Sequence, residues 1–427
     1  MNNKKILLKR KQKDYIKKFI VIFENLEPVH LGKDVGMLPK ALQNNTNWDV
    51  SIFSTLKEFN DTEFEKSVKL KFFTFFKNCK LNKFFMMINL ILHVRNIDYL
   101  MVFHGDRDKL ILFWILKLIN PSLVTYVKLD MDEPTAHNIK NHLNIINPFK
   151  LRVKKFLSKS VDLYTIETKK VFEIIREMEF YRNKLYLLPN GFYMDLPYDF
   201  SKTKEKIMIT VGRIGTPQKN NELLLSAISK VDNLRDYKFY FIGTIEVSFQ
   251  KKIDDLLNIR EDLKEKIILT GNISEKDKLF EFYKRAEVFC LSSIYESFAL
   301  VLTEALYHGC YLLSTDVGAA FDLTDNGKFA SIVNVNENLF DELHNNGVYD
   351  VVKYINNDFE LLQDTNWFEN SSKLLADNLQ LIINQDIDTQ TNSRYVAENV
   401  YKNFNWNLII EDLLILIEKT AGKRKND

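Results

Sequence analysis

The stretch "ITVGRIGTPQKNNELLLSAI", residues 209–228, decides the fold. A β-branched run ends at Val211, a glycine turn follows at Gly212, and an amphipathic helical pattern begins near Asn220. Arg213 and Lys219 bracket the turn. Strand, tight turn and helix in immediate succession form the repeating unit of a parallel sheet with helices on its faces.

The same unit recurs in both directions. Strands are expected at Phe19–Phe23, Asp49–Phe53, Tyr99–Phe103, Val124–Leu129, Val161–Ile166 and Lys184–Leu188 in the first half. In the second half they are expected at Ile207–Val211, Lys238–Ile242, Lys266–Leu269, Val288–Leu291, Tyr311–Ser314 and Ser331–Asn334. Helical patterns separate nearly all of them, including Asn220–Val231, Ser274–Arg285 and Phe298–His308. Two such series meet near "LPNGFYMDLPYDFSK" (188–202), where Pro, Gly and polar residues thicken into a hinge. The fold class is therefore α/β, with two Rossmann-like doubly wound domains facing across a cleft, residues 1–190 and 191–402. Residues 403–427 form a final apolar helix that packs back across both domains, followed by a basic tail. Open α/β sheets bind ligands at the carboxyl ends of their strands, so the chemistry is expected in the cleft.

Composition narrows the class. With 46% apolar and 27% charged residues among 427, this is a globular chain long enough for two domains. A net charge of +2 argues against nucleic acid as a partner. The charge is nonetheless uneven: Lys4, Lys5, Lys9, Arg10, Lys11, Lys13, Lys17 and Lys18 face a single acid, Asp14. From Lys66 to Ile97 there is no acid, while six lysines and one arginine mingle with Phe72, Phe73, Phe75, Phe76, Phe84 and Phe85. Such a block suits an anionic membrane surface or, equally, a cleft-side helix with solubilising charge, and Lys83 falls on the side of Phe72. Cys79, Cys290 and Cys310 have no disulfide or metal-ligand spacing, which fits a reducing cytoplasm. No secretory signal is visible, and "LILFWILKLI" (110–119) is too short to span a bilayer. A cytoplasmic chain is expected, either soluble or held peripherally at the inner face of the plasma membrane.

In "LSSIYESFALVLTEALYHGC" (291–310) the only charges are Glu296 and Glu304, eight residues apart and without a local basic partner. Ser297 is placed as the N-cap of a helix running to His308. Its first amides, from Phe298, Ala299 and Leu300, then offer donors to an anion. Two carboxylates about 10 Å apart would flank that anion as acceptors for hydroxyl groups. An anion held between two sets of hydroxyls describes a nucleotide-sugar. The glycine turn at Gly212 has no G-x-G-x-x-G or P-loop around it, which disfavours a dinucleotide enzyme or an ATPase.

Together "VGRIGTPQKN", "FIGT" (241–244), "ILTGNIS" (268–274) and "YESFALVLTEALYHGC" resemble the donor-binding domain of GT-B retaining glycosyltransferases of family four (group 1). "LLPNGF" (187–192) is similar to that family's interdomain signature. The resemblance is strong over residues 184–335 and rests on strand order in the first half. It assigns Glu304 to the ribose hydroxyls and Glu296 to the donor sugar. Arg213 and Lys219 would neutralise the leaving diphosphate, with Gly212, Ser297, Phe298, Ala299 and Leu300 around it and Ile273 beside the base. "HLGKDVGMLPKAL" (30–42) is similar to the family's glycine loop near the donor phosphate, here with Gly32 followed by Lys33 where many relatives have two glycines.

Relatives commonly place a histidine after the fourth strand. In "VTYVKLDMDEP" (124–134) that position is Asp130, and His104 in "VFHGDRD" is the substitute on the preceding strand. The "DMD" of residues 130–132 also invites a metal reading, since oxygen ligands suit divalent cations. Arg213 and Lys219 would already supply that electrostatic role, so no metal cofactor is expected. The implied reaction is retaining transfer of a hexose-type sugar from a UDP-, GDP- or similar donor to a glycan or lipid-linked acceptor, as in bacterial surface polysaccharide synthesis. The rivals are an epimerase or phosphorylase of the same fold, or a non-catalytic sugar-binding or partner-stabilising subunit.

Overall fold

The computed structural model describes residues 15–56, 59, 61–142, 147–194, 196–201, 203–348 and 350–423. The lysines before Asp14 and the basic tail after Lys423 lie outside the described residues. Among the described residues there are two sheets. The first has seven strands: β1 Lys18–Ile22, β2 Asp49–Ser54, β3 Lys69–Phe72, β4 Tyr99–Phe103, β5 Val124–Lys128, β6 Leu163–Ile166 and β7 Leu185–Leu187, ordered β3-β2-β1-β4-β5-β6-β7. The second has six: β8 Glu205–Val211, β9 Lys238–Ile242, β10 Ile267–Gly271, β11 Ala286–Leu291, β12 Tyr311–Thr315 and β13 Ser331–Val333, ordered β10-β9-β8-β11-β12-β13. Pairings such as β1 with β2 and β4, or β8 with β9 and β11, are parallel. In each sheet the order reverses at the first strand of the series, the doubly wound pattern.

Twelve of these strands lie where alternation and β-branched runs place them. β3 was not expected. Its sequence, Lys-Leu-Lys-Phe, alternates exposed and half-buried positions, as an edge strand should. Lysines on such an edge discourage pairing with another chain.

The chain divides into two compact units: residues 1–129, 149–165 and 410–427, and residues 130–148 with 166–409. This division does not follow the sheets. The segment after β5, which carries Asp130, groups with the second unit, and the final helix Trp406–Lys423 changes unit at Ile410. That helix buries Trp406, Ile409, Ile410, Leu413 and Ile417, a stripe at helical spacing. Its first turn explains the glycine of "LPNG": a Cβ on Gly191 would lie 2.8 Å from Ile409 Cδ1 and 3.0 Å from the Trp406 amide.

In the second unit a buried aromatic nest surrounds His308, whose ring stacks on Tyr283 at 5.9 Å and lies 5.0 Å from Phe280. Burial is the main reason its imidazole is depressed to about 4, with Lys204 and Lys284 adding to the effect against a bond to the Glu304 carbonyl. A histidine depressed in the fold is neutral there while its unfolded counterpart takes up a proton. Its contribution is complete above about pH 6.5 and drains away as pH falls to about 4, a loss of about 3 kcal/mol. Urea melts between pH 7 and 4.5 are expected to show this slope, and a His308→Gln chain is expected to lack most of it.

Candidate functional site

The glycine turn at the end of β8 is held by neighbouring strand ends. The Gly212 amide donates to the Ile242 carbonyl at 3.0 Å, and the Gly243 amide donates to the Gly271 carbonyl at 3.0 Å. A Cβ on Gly243 would sit 1.7 Å from the Gly212 carbonyl oxygen, so only glycine permits this approach. Ile214, buried, fixes the next residue by donating to the Thr244 carbonyl at 2.8 Å. The loop closes where the Gly215 amide donates to Asn221 Oδ1 at 2.8 Å, and helix Asn221–Lys230 begins.

This loop is joined to the one after β11. Ile294 donates its amide to the Gln218 carbonyl at 2.9 Å, and Ser292 Oγ donates to the Lys219 carbonyl at 3.0 Å. Lys219 Nζ reaches Glu296 Oε1 at 2.5 Å, with the side chains 14% and 9% exposed. Ser293 Oγ donates to the same carboxylate oxygen at 2.8 Å. Glu296, without a basic neighbour in its own stretch, thus has a cation from 77 residues away.

Gln218 was not singled out from sequence. Its Oε1 accepts from Arg213 Nη2 at 2.6 Å, while its Nε2 donates to the Tyr295 carbonyl at 3.1 Å and approaches Glu296 Oε2 at 3.4 Å. An uncharged amide links the exposed Arg213 to the acid. A search for charges passes over it, and the available signal was its place beside Lys219 in a turn. Asn220 was also missed as a site residue. It is fully buried in left-handed backbone (φ 45°), and neither of its side-chain polar atoms has a partner.

The helix after β11 starts later than its sequence suggests. It spans Leu300–Tyr307, and its N-cap is Ala299 in left-handed backbone (φ 65°), not Ser297. The cause is Gly318, whose missing side chain lets the Phe298 carbonyl approach; a Cβ there would lie 2.7 Å from that oxygen and 3.1 Å from Glu296 Cβ. Ala319 donates its amide to the same carbonyl at 3.0 Å, so the chain must turn sharply at Ala299 to enter the helix. Among the described residues, the amides of Phe298, Ala299 and Leu300 have no acceptor, as expected at a helix start. Strained non-glycine backbone recurs at strand ends, with His104 at φ 56° and Asp130 at φ 44°.

Glu304 is half-buried and accepts from Tyr283 Oη at 3.2 Å. Burial raises its carboxyl above the usual range, opposed by Lys276 and the Tyr283 hydroxyl. Ile273 follows β10, half-buried against the core. Asp130 is half-buried, and Asp132 caps helix Glu133–His142 by accepting from the Thr135 amide at 2.8 Å. Burial pushes the Asp132 carboxyl up, with Asp130 and Glu296 adding negative charge. In the first unit, Gly32 is exposed at the end of helix Pro28–Leu31 with ordinary φ of −82°, and His104 Nδ1 bonds the Leu129 carbonyl oxygen at 2.9 Å.

The second unit therefore assembles Gly212, Arg213, Lys219, Glu296 and the bare amides of Phe298 to Leu300 at adjoining strand ends. Fixed cations beside free backbone donors can hold an anion, and buried carboxylates can accept from hydroxyls.

Residues 199–344 match the family described as glycosyl transferases group 1. A Campylobacter jejuni alpha-1,4-N-acetyl-D-galactosaminyltransferase, named for a GalNAc-containing PP-undecaprenol, is 30% identical over 149 residues, 33% of this chain and 38% of that protein. The chain spans less than two fifths of the length of the curated relatives it matches. A Rickettsia africae glycosyltransferase structure aligns at TM-score 0.61 and 16% identity, over 95% of this chain and 98% of that one. Anabaena HepE in complex with UDP aligns at 0.55 and 14%, over 91% and 100%. The folds agree: those structures and this chain share the two-sheet α/β architecture.

Proposed function

We propose that this chain is a retaining hexosyltransferase of the family-four type. It takes a sugar from a UDP-, GDP- or related donor and passes it to a glycan or lipid-linked acceptor. The observation that carries this reading is the junction of Arg213, Gln218, Lys219 and Glu296 beside the unpaired amides of Phe298, Ala299 and Leu300. A diphosphate entering there competes with Glu296 for the Lys219 ammonium. As the bond to the sugar breaks, negative charge grows on the phosphate and is met by Arg213, Lys219 and the amides. Glu296, released from part of its ion pair, then accepts from the sugar. The acceptor hydroxyl attacks from the face the diphosphate leaves, and its proton passes to the departing phosphate oxygen.

Glu304 takes the ribose hydroxyls and Ile273 lies against the base. Asp130, Asp132 and Glu296 supply negative charge near the sugar, which suits an oxocarbenium-like intermediate. Gly32 is assigned to the donor phosphate, and His104, as the substitute for Asp130, to the donor sugar. The reaction is proposed to need no metal, because Asp132 is already committed to capping its helix. The likeness to an enzyme named for a PP-undecaprenol-linked glycan supports a place in surface glycan assembly, at the cytoplasmic face of a membrane. Among the described residues no helix is long and apolar enough to cross one.

A thermal-shift series with nucleoside diphosphates and their sugars tests the reading: at least one is expected to raise the melting temperature, and none doing so would remove it. Glu304→Gln is expected to weaken donor binding about tenfold through loss of a charged acceptor. Melting without donor should stay level or rise, because a half-buried charge is removed. Gln218→Ala is expected to keep the fold and slow turnover by a factor on the order of ten to a hundred, since Arg213 loses its anchor. A steady-state comparison checks this; unchanged turnover would make Gln218 a bystander.

A further inference from the structure

The first unit exposes aromatic residues in an ordered way. Phe75, Phe76, Phe84 and Phe85 are 69%, 44%, 55% and 39% exposed, and their rings touch one another, at 5.2 Å for Phe76 with Phe85 and 5.9 Å for Phe84 with Phe85. The loop carrying Phe75 and Phe76 is clamped at two points by the buried Asn82. Its Oδ1 accepts from the Phe76 amide at 2.9 Å and its Nδ2 donates to the Phe76 carbonyl at 2.9 Å. The chain thus uses a buried amide to hold apolar rings out in water.

The lysines sort themselves around this cluster. Lys83, on the unsuitable side of the helical wheel, pairs with Glu24 at 2.9 Å, and Lys69 pairs with Asp49 at 2.7 Å. Lys77 and Lys80 stand exposed beside the rings.

A second such element follows. Helix Pro148–Ser158 exposes Phe149 and Phe156 together with Lys150 and Arg152, and no acid occurs from Pro134 to Val161. Phe156 lies 6.0 Å from Trp114 of helix Arg107–Ile119, which also exposes Leu118. That helix packs against Cys79–His93, the helix bearing Phe84 and Phe85. Right-handed crossovers from β3 to β4, β4 to β5 and β5 to β6 place all three helices on one side of the sheet. Acids at this layer include Glu24, already paired with Lys83, Asp106 and Asp108 at the start of one helix, and Asp162, paired with Lys117 at 2.5 Å.

We propose that this helical layer docks the chain on an anionic phospholipid bilayer, with Phe75, Phe76 and Phe84 entering the interface and Lys77, Lys80, Lys150 and Arg152 facing the headgroups. The charge of the layer, basic with few acids, selects lipid over a second, equally basic copy of the chain. The proposal deepens the proposed transfer reaction only by bringing the enzyme to a lipid-borne acceptor, and the docking stands without it.

The test is sedimentation of the full chain with phosphatidylcholine vesicles, with and without phosphatidylglycerol, at low and high salt. Wild type is expected to sediment with the anionic vesicles and to be released in large part by salt. Phe75→Ser with Phe84→Ser is expected to weaken this about tenfold or more, and so is Lys77→Glu with Lys80→Glu, at about fivefold or more per lysine. Both variants should keep the wild-type thermal shift with a nucleoside diphosphate, which separates failure of docking from failure of the donor site. Absence of wild-type binding overturns the proposal. So does equal binding by both variants, which would move the contact to another segment such as the N-terminal lysines. A wild-type dimer in light scattering that the phenylalanine variant dissolves, without vesicle binding, would assign the surface to a second copy.

Discussion

Lys219→Met is expected to lower turnover by about a hundredfold to a thousandfold, the usual cost of removing one charge contact to a developing anion. The same change leaves Glu296, 9% exposed, without its cation, so the fold should also lose about 3 kcal/mol. The two effects separate in the double variant Lys219→Met with Glu296→Gln. Neutralising the stranded acid should recover most of the stability while turnover stays low. Urea melts and steady-state rates on the three chains check both halves. If the double variant recovered rate as well as stability, Lys219 would serve only to neutralise Glu296.

Gly243→Ala is the second large effect, and it acts through backbone. The added carbon would lie 1.7 Å from the Gly212 carbonyl oxygen, closer than any relaxation of side chains can relieve. Either β9 or the loop carrying Arg213 must move, so a loss of at least about 3 kcal/mol is expected together with loss of donor binding. Gly271→Ala is the control. It also has left-handed backbone (φ 72°), but no atom lies within 4 Å of its added carbon. That substitution is expected to cost about 1 kcal/mol from strain alone. Equal melting of the two variants would show that the close approach at Gly243 is not what matters.

The sheets were legible because a buried parallel strand advertises itself locally, as in Tyr99–Phe103, whose five residues are all buried. β3 was hidden because its alternation sits inside a basic aromatic block, where composition suggested a membrane-facing surface or a cleft-side helix. The site was legible as residue types and not as contacts. Arg213, Lys219 and Glu296 stood out by their charge, but the pairing of the last two depends on β8 and β11 being neighbours in the sheet. Gln218 and Gly318 act through an amide fork and a missing side chain, which show only when two loops are folded together. Ala299 displaced Ser297 as the cap for the same reason: a carbonyl packed against Gly318 outweighed local capping preference. The aromatic layer was half seen. Lys83 appeared to spoil the amphipathic pattern until the structure paired it with Glu24.

The most direct measurement is a crystal structure of the chain soaked with a nucleoside diphosphate. The account requires phosphate oxygens within hydrogen-bond distance of Lys219 Nζ, Arg213 and the amides of Phe298 to Leu300, and ribose hydroxyls against Glu304. A diphosphate bound away from the strand ends of β8 and β11, with the Lys219–Glu296 pair undisturbed, would contradict it.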